Sequence, residues 1–198
     1  MSVYQSRSSK ELPSSFSHLQ NRIYDYDADL YYHCQKVASN SMFIGQIMKL
    51  SRKRASLLFH AALLHDVGKI LLPKDGTHKT SGLTEDKRNL LCRHPEDGCE
   101  LIAAIAHPET VELIPIVLSH HEWVDGSGYP CGLKGRAIPV EARIIAIADA
   151  IDNMTTINSQ KEEVATLPRA IIKIVSQAGC QFDEEIVDRL ADVYKDIT

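Results

Sequence analysis

Apolar residues recur at three- and four-residue intervals along the chain: Val37, Ile44, Ile47 and Met48; Leu57, Leu58, Ala61, Leu63 and Leu64; Ile144, Ile145, Ile147 and Ile151. This spacing aligns each set along one face of an α-helix and predicts an all-α fold. Thr84 followed by Glu85 and Asp86 reads as an N-cap with acidic first-turn residues. The helix it opens should break near Arg93, because the residue before Pro95 avoids the α region, and this leaves His94 at the break. A further helix is expected from about Glu109 to His121, bent at Pro115. Gly126, Gly128, Gly132, Gly135 and two prolines make residues 125–139 a loop, after which helices should resume near Pro139, Val164 and Asp183. Residues 71–83, with Pro73, Gly76 and Gly82, form a second long irregular stretch. It reads either as a lip over a functional site or as a plain surface connection.

A chain of 198 residues, 44% of them hydrophobic, suffices for one domain that buries roughly 70% of its unfolded surface. The formal net charge of −4 argues against a surface that tracks a nucleic-acid polymer, but leaves room for a small anionic ligand in a local cationic pocket. Cys34, Cys92, Cys99, Cys131 and Cys180 are odd in number and contain no C-x-x-C pair, which suits reduced thiols in a cytoplasmic protein. The first residues lack an apolar secretory core, and the most apolar helix carries Arg143 and Asp149, so neither secretion nor membrane insertion is expected. Seven of the first 17 residues are serine. Residues 1–18 are therefore expected to be a flexible tail, and residues 19–198 the domain.

Three separated segments carry candidate chemistry: His65-Asp66-Val67-Gly68-Lys69, His120-His121-Glu122 running on to Gly128-Tyr129-Pro130, and Asp149 to Asp152. They supply the nitrogen and oxygen ligands that a hard or borderline metal prefers. An adjacent His-Asp pair on a helix projects its side chains about 100° apart, so that the imidazole takes one metal while the carboxylate bridges toward another. A buried histidine hydrogen-bonded to aspartate is the commoner origin of such a pair taken alone. Lys69 lies four residues after His65 and three after Asp66, on the same face, where it reads as a phosphate-binding cation or as an exposed lysine.

Together these segments resemble the HD-GYP family of cyclic-dinucleotide phosphodiesterases, from about Asp29 to about Leu190. The resemblance implies a single helical domain whose metal ligands are His33, His65, Asp66 and Asp149, joined by His94, His120 and His121. Of two His-Pro-Glu triplets, only the one at His94 is followed by the family's glycine, Gly98; His107 is left as a surface or capping residue, and His18, His60 and His78 match no ligand position. Seven ligand-type residues exceed one coordination sphere, so at least two divalent ions sharing Asp66 are expected, iron or manganese by the family's habit. Asp29 stands one helical turn before His33, either as a ligand to a third ion or as a solvated acid. Glu122 and Asp152 are expected to orient imidazoles, since a ligating histidine commonly donates its other N–H to a carboxylate. Tyr129 is either turn packing or a contact for a nucleobase or a partner protein.

The implied activity is hydrolysis of cyclic di-GMP to linear pGpG, GMP or both, by a metal-bridging hydroxide, with Asp66 and Lys69 as catalytic groups. Lys161 is expected to bind substrate, but Asn158 stands where the family usually carries a phosphate-gripping arginine. Two other readings follow from that departure and from the wider superfamily. One is a degenerate domain that binds nucleotide or protein without turnover; the other is a phosphohydrolase of a different nucleotide. The family's frequent regulatory module is not expected ahead of these motifs. Control would then come from the tail, from substrate supply, or from a signalling protein at the Gly128-Tyr129-Pro130 loop.

Overall fold

The computed structural model describes residues 14–74, 84–108, 110–156 and 164–195. In chain order these form α1 (Ser14–Tyr26), α2 (Ala28–Ile47), α3 (Arg52–Leu64), a 3-10 turn (Val67–Leu71), α4 (Glu85–Leu91), α5 (His94–Ala103), α6 (Thr110–Leu118), a second 3-10 turn (Gly135–Ala137), α7 (Val140–Thr155), α8 (Leu167–Val175) and α9 (Glu184–Tyr194). Among the described residues the extended pairing is limited to one isolated bridge, Ala178 with Phe182, so the domain is all-α. None of these helices is long and apolar enough to cross a membrane.

The helix starts follow from local chemistry. Asp27 caps α2 by accepting from the N–H groups of Asp29 and Leu30, Ser51 caps α3 through Arg54, Thr84 caps α4 through Lys87, and Asp183 caps α9 through Ile186. Each side-chain oxygen satisfies a backbone donor that has no partner within its helix. Pro95 falls in the first turn of α5, where its missing N–H costs nothing, and this breaks the chain between α4 and α5 as expected.

Helix α2 lies at the centre and packs against α3 and α7, while α5 rests on α6 and on the first 3-10 turn. Val37, Ala38 and Ile44 of α2 meet Leu58, Ala61 and Leu64 of α3 and Ile144, Ile147 and Ala148 of α7 in one continuous core. A bidentate pair between exposed Arg54 and buried Glu141, at 2.6 and 2.9 Å, ties α3 to α7. Arg143 on α7 donates to Asp183 at the start of α9 and to the carbonyl of Ile138.

Three expectations need adjustment. Helix α1 begins at Ser14, and Phe16, Leu19 and Ile23 are buried in the core, so the tail expected over residues 1–18 overlaps a packed helix. Their spacing of three and four residues is itself a helical signal that the serine-rich composition obscured. Helix α6 ends at Leu118 rather than reaching His121. Helix α3 ends at Leu64, with His65 and Asp66 in the turn that follows instead of inside a helix. Residues 75–83, most of the expected lip, lie outside the described residues.

Candidate metal centre

Three histidines are held by one device, and a fourth by a carboxylate. His65 Nδ1 donates to the carbonyl of Ala62 at 2.8 Å, His94 Nδ1 to Leu91 at 2.7 Å and His120 Nδ1 to Val117 at 2.6 Å. In each case the acceptor is the carbonyl three residues earlier, near a helix C-terminus where carbonyls lack intrahelical partners. His33 on α2 spends Nδ1 on Asp152 Oδ2 of α7 at 2.7 Å. With Nδ1 carrying the donated proton, Nε2 of each ring is the nitrogen turned inward, the one that takes a metal once it carries no proton.

Those nitrogens converge on Asp66, and the carboxylate faces two ways. Its Oδ2 lies 3.6 Å from His33 Nε2 and 3.4 Å from His65 Nε2. Its Oδ1 lies 3.1 Å from His94 Nε2 and 3.9 Å from His120 Nε2. Asp149 Oδ1 is 3.1 Å from His33 Nε2. Two sets of donor atoms gather within 4.8 Å of one another: His33, His65 and Asp149, and Asp66 with His94, His120 and His121. Donors about 2.0–2.2 Å from a shared ion necessarily stand about 3 Å from each other.

The residues present fit divalent ions. Besides the donor set, His65 Nε2 and Asp66 Oδ1 are fully buried with no hydrogen-bond partner; His94 Nε2 is near Asp66 Oδ1, but not in hydrogen-bonding geometry. Orphaned buried polar atoms of this kind are costly unless something is bound between them.

The electrostatics divide the cluster. Burial opposes charge on His33, but hydrogen bonds to Asp149 and Asp152 outweigh it and raise its pKa to about 10. His65 is likewise raised, because Asp66 overcomes burial. His121 is lowered to about 3 by burial and by His94, and His120 is lowered by burial and by its three imidazole neighbours. Burial also opposes ionisation of Asp149, yet His33 lowers its pKa to about 2. Without ions at pH 7.5, His33 is cationic, His65 is pushed toward its cationic form by Asp66, and His120 and His121 are neutral. Metal loading must therefore expel the His33 proton and none from His120 or His121. Calorimetric titration with Mn(II) in buffers of different ionisation enthalpy is expected to report release of at least one proton, from His33. Affinity at the His33 group should rise with pH up to about 10, whereas the His120–His121 pair should add no pH dependence above 6.5. Zero proton release would show that the His33 group takes no ion.

Lys69 Nζ sits 2.6 Å from Asp66 Oδ2. Burial works against its charge, but Asp66 keeps its pKa above the ordinary lysine value. The lysine read as a phosphate ligand thus rests on the Asp66 carboxylate. Asp29 is exposed in the first turn of α2, joins neither donor group, and its backbone N–H is capped by Asp27.

Glu122 departs from expectation. It orients no imidazole; its buried carboxylate accepts from the N–H groups of Cys131 at 2.6 Å and Leu133 at 3.0 Å, fixing the loop behind Pro130. That loop folds back tightly enough that a Cβ on Gly128 would stand 2.3 Å from Trp123 N, so only glycine fits there. Tyr129 stacks on His121 with ring centroids 4.9 Å apart, and Tyr129–Pro130 is a cis peptide. Its ring backs a metal-group histidine rather than standing free at a mouth. His107 packs edge-on against Phe16, away from the cluster. Asn158 and Lys161 lie outside the described residues. Two further residues reach Asp149 and Asp152 without having been singled out: Asn153 donates to Asp149 Oδ1 at 2.7 Å, and Thr156 donates to Asp152 Oδ1 at 2.7 Å while accepting from Lys36 Nζ at 3.2 Å. The four-residue spacing of each from its aspartate was the available signal.

Residues 17–186 match the HD domain family model. The chain belongs to the HD domain family. Its resemblance to the HD-GYP branch agrees with its curated relatives. It is 40% identical over 147 residues to the cyclic di-GMP phosphodiesterase response regulator RpfG of Xanthomonas campestris pv. campestris, an alignment covering 74% of this HD domain and 39% of that protein. It is 32% identical over 179 residues to a cyclic di-GMP phosphodiesterase of Thermotoga maritima, covering 90% and 48%. A 3'3'-cGAMP-specific phosphodiesterase 2 of Vibrio cholerae is 31% identical over 81% of this chain and 30% of its own length. The chain thus spans less than half the length of these relatives. Among solved structures, Bd1817, an HDG"Y"P protein of Bdellovibrio bacteriovorus, shares the fold with a TM-score of 0.67 at 18% identity, over 96% of this chain and 75% of that one.

Proposed function

We propose that this HD domain hydrolyses a cyclic dinucleotide, cyclic di-GMP foremost, to linear pGpG, GMP or both, with two divalent ions, Fe(II) or Mn(II). The observation that carries this reading is the two-way carboxylate of Asp66, whose oxygens face separate donor groups. Divalent ions bound there would supply Lewis-acid polarisation of a phosphodiester oxygen and an acidified water. The protein's part is positional. His33, His65 and Asp149 would hold one ion and His94, His120 and His121 the other, with Asp66 between the two groups. Asp152 and the three helix-end carbonyls keep the rings in place. Lys69 offsets negative charge beside the shared carboxylate and is the cation assigned to the scissile phosphate. Tyr129 stiffens His121, and the exposed side of its loop, at Ser127 and Cys131, is the face assigned to a signalling protein. All five cysteines are unpaired, consistent with a reducing cytoplasm.

The relatives support the reaction class but differ in base, cyclic di-GMP in two and 3'3'-cGAMP in the third. A degenerate domain has no chemical use for a complete seven-residue donor set, which favours turnover over mere binding. The test is elemental analysis of anaerobically prepared protein together with product chromatography on cyclic di-GMP, cyclic di-AMP and 3'3'-cGAMP. Two ions per chain and linear product from cyclic di-GMP are expected. Metal-loaded protein inert on all three would establish the binder instead. In the same assay Asp29→Ala separates a two-ion from a three-ion centre, since loss of about one ion would make Asp29 a ligand.

A further inference from the structure

A cavity of about 460 Å³ opens between the end of α7 and one face of α8, within the size range of sites that hold nucleotide-sized ligands. Its wall is shared with the metal centre through one residue: Asn153 lines it and donates to Asp149 Oδ1 at 2.7 Å. Arg169 and Lys173 flank it, four residues apart on one face of α8 and so directed to the same side. Met154 and Ile172 supply its apolar surface, and the N–H of Ala165 bonds to the carbonyl of Met154 at 3.0 Å, holding the returning chain against α7.

A cyclic dinucleotide carries two phosphodiesters on opposite sides of its ring. Fixing one at Asp66 leaves the other, with its charge and an attached nucleoside, to be placed nearby. We propose that the cavity between α7 and α8 receives that second nucleotide half, with Arg169 and Lys173 on the distal phosphate and the apolar wall of Met154 and Ile172 against the nucleoside. The inference rests on the cyclic-dinucleotide reading above and adds its substrate subsite. Cations are suited to this position because the proximal phosphate is handled by the metal centre, whereas the distal one has no ion to meet.

The experiment compares cyclic di-GMP with bis(p-nitrophenyl) phosphate, a small diester that fills the metal centre and leaves the cavity empty. Lys173→Glu should raise KM for cyclic di-GMP about tenfold with kcat nearly unchanged, and addition of Arg169→Gln should raise it further. Hydrolysis of the small diester should stay within about twofold, and Lys173→Arg should behave as wild type. Wild-type protein that cleaves the small diester but no cyclic dinucleotide overturns the parent reading and the subsite with it. Wild-type activity on cyclic di-GMP with an unchanged KM in the double variant overturns the subsite alone. So does equal loss on both substrates, which would mean that the substitutions act through Asn153 and Asp149 instead.

Discussion

Asp66→Ala should reduce turnover to roughly 1% of wild type or less, because replacing a partner that merely orients a ligand already costs about 10–100-fold, and Asp66 faces both donor groups at once. Metal content should fall along with activity, since neither group retains a shared oxygen. The fold should survive: the core between α2, α3 and α7 is apolar, and Asp66 lies in the turn after α3 rather than within that packing. The carboxylate also lies against His65 and Lys69, so the alanine variant removes the acidic partner of both. Asp66→Asn, which preserves volume and loses charge, separates the two effects. If both variants keep their helical circular dichroism but retain two ions and near-wild-type turnover, the carboxylate is not shared. Loss of metal with retained helicity is the expected result.

The helices were readable because their stripes are long, and the starts of α4 and α9 because of Thr84 and Asp183; the caps at Asp27 and Ser51 emerged only in the structure. The break before Pro95 was readable because proline acts locally. The grouping of His33, His65, Asp66, His94, His120, His121 and Asp149 came from motif resemblance, and the structure brings those seven together from α2, α5, α7 and the turns after α3 and α6. What could not be read is how they are held. That His65, His94 and His120 each sit where a carbonyl three residues earlier is free depends on where α3, α4 and α6 stop, and periodicity locates an end only to within a turn. Glu122 was assigned to an imidazole because it adjoins two of them, yet a strand-free loop full of glycines needs acceptors for its own N–H groups, and Cys131 and Leu133 take that carboxylate. Composition misled at the start of α1, where serines hid Phe16. The segment with Asn158 and Lys161 lies outside the described residues, so its departure from the family pattern is a question for substitution there.

Gly68→Ala should be among the most damaging single-methyl additions to this domain. A Cβ at Gly68 would stand 2.0 Å from the carbonyl oxygen of His94 and 2.6 Å from the backbone nitrogen of Gly98. Both are main-chain atoms of α5, so no side-chain rotation relieves the contact; α5 or the 3-10 turn Val67–Leu71 must move as a body. Overpacking of this kind costs about 1–3 kcal/mol and more where backbone must shift, so a loss of roughly 3 kcal/mol is expected in denaturant titration. The displacement is also directional. Gly68 is two residues after Asp66, and the atom it would strike belongs to His94, which faces Asp66 Oδ1 at 3.1 Å. Separating the turn from α5 therefore widens the distance between the shared carboxylate and the His94, His120 and His121 group before it touches His33, His65 and Asp149. One ion should be lost preferentially, and stoichiometry should approach one per chain in whatever fraction stays folded. A variant as stable as wild type that still binds two ions would show that α5 does not rest on this turn as closely as the backbone contact requires.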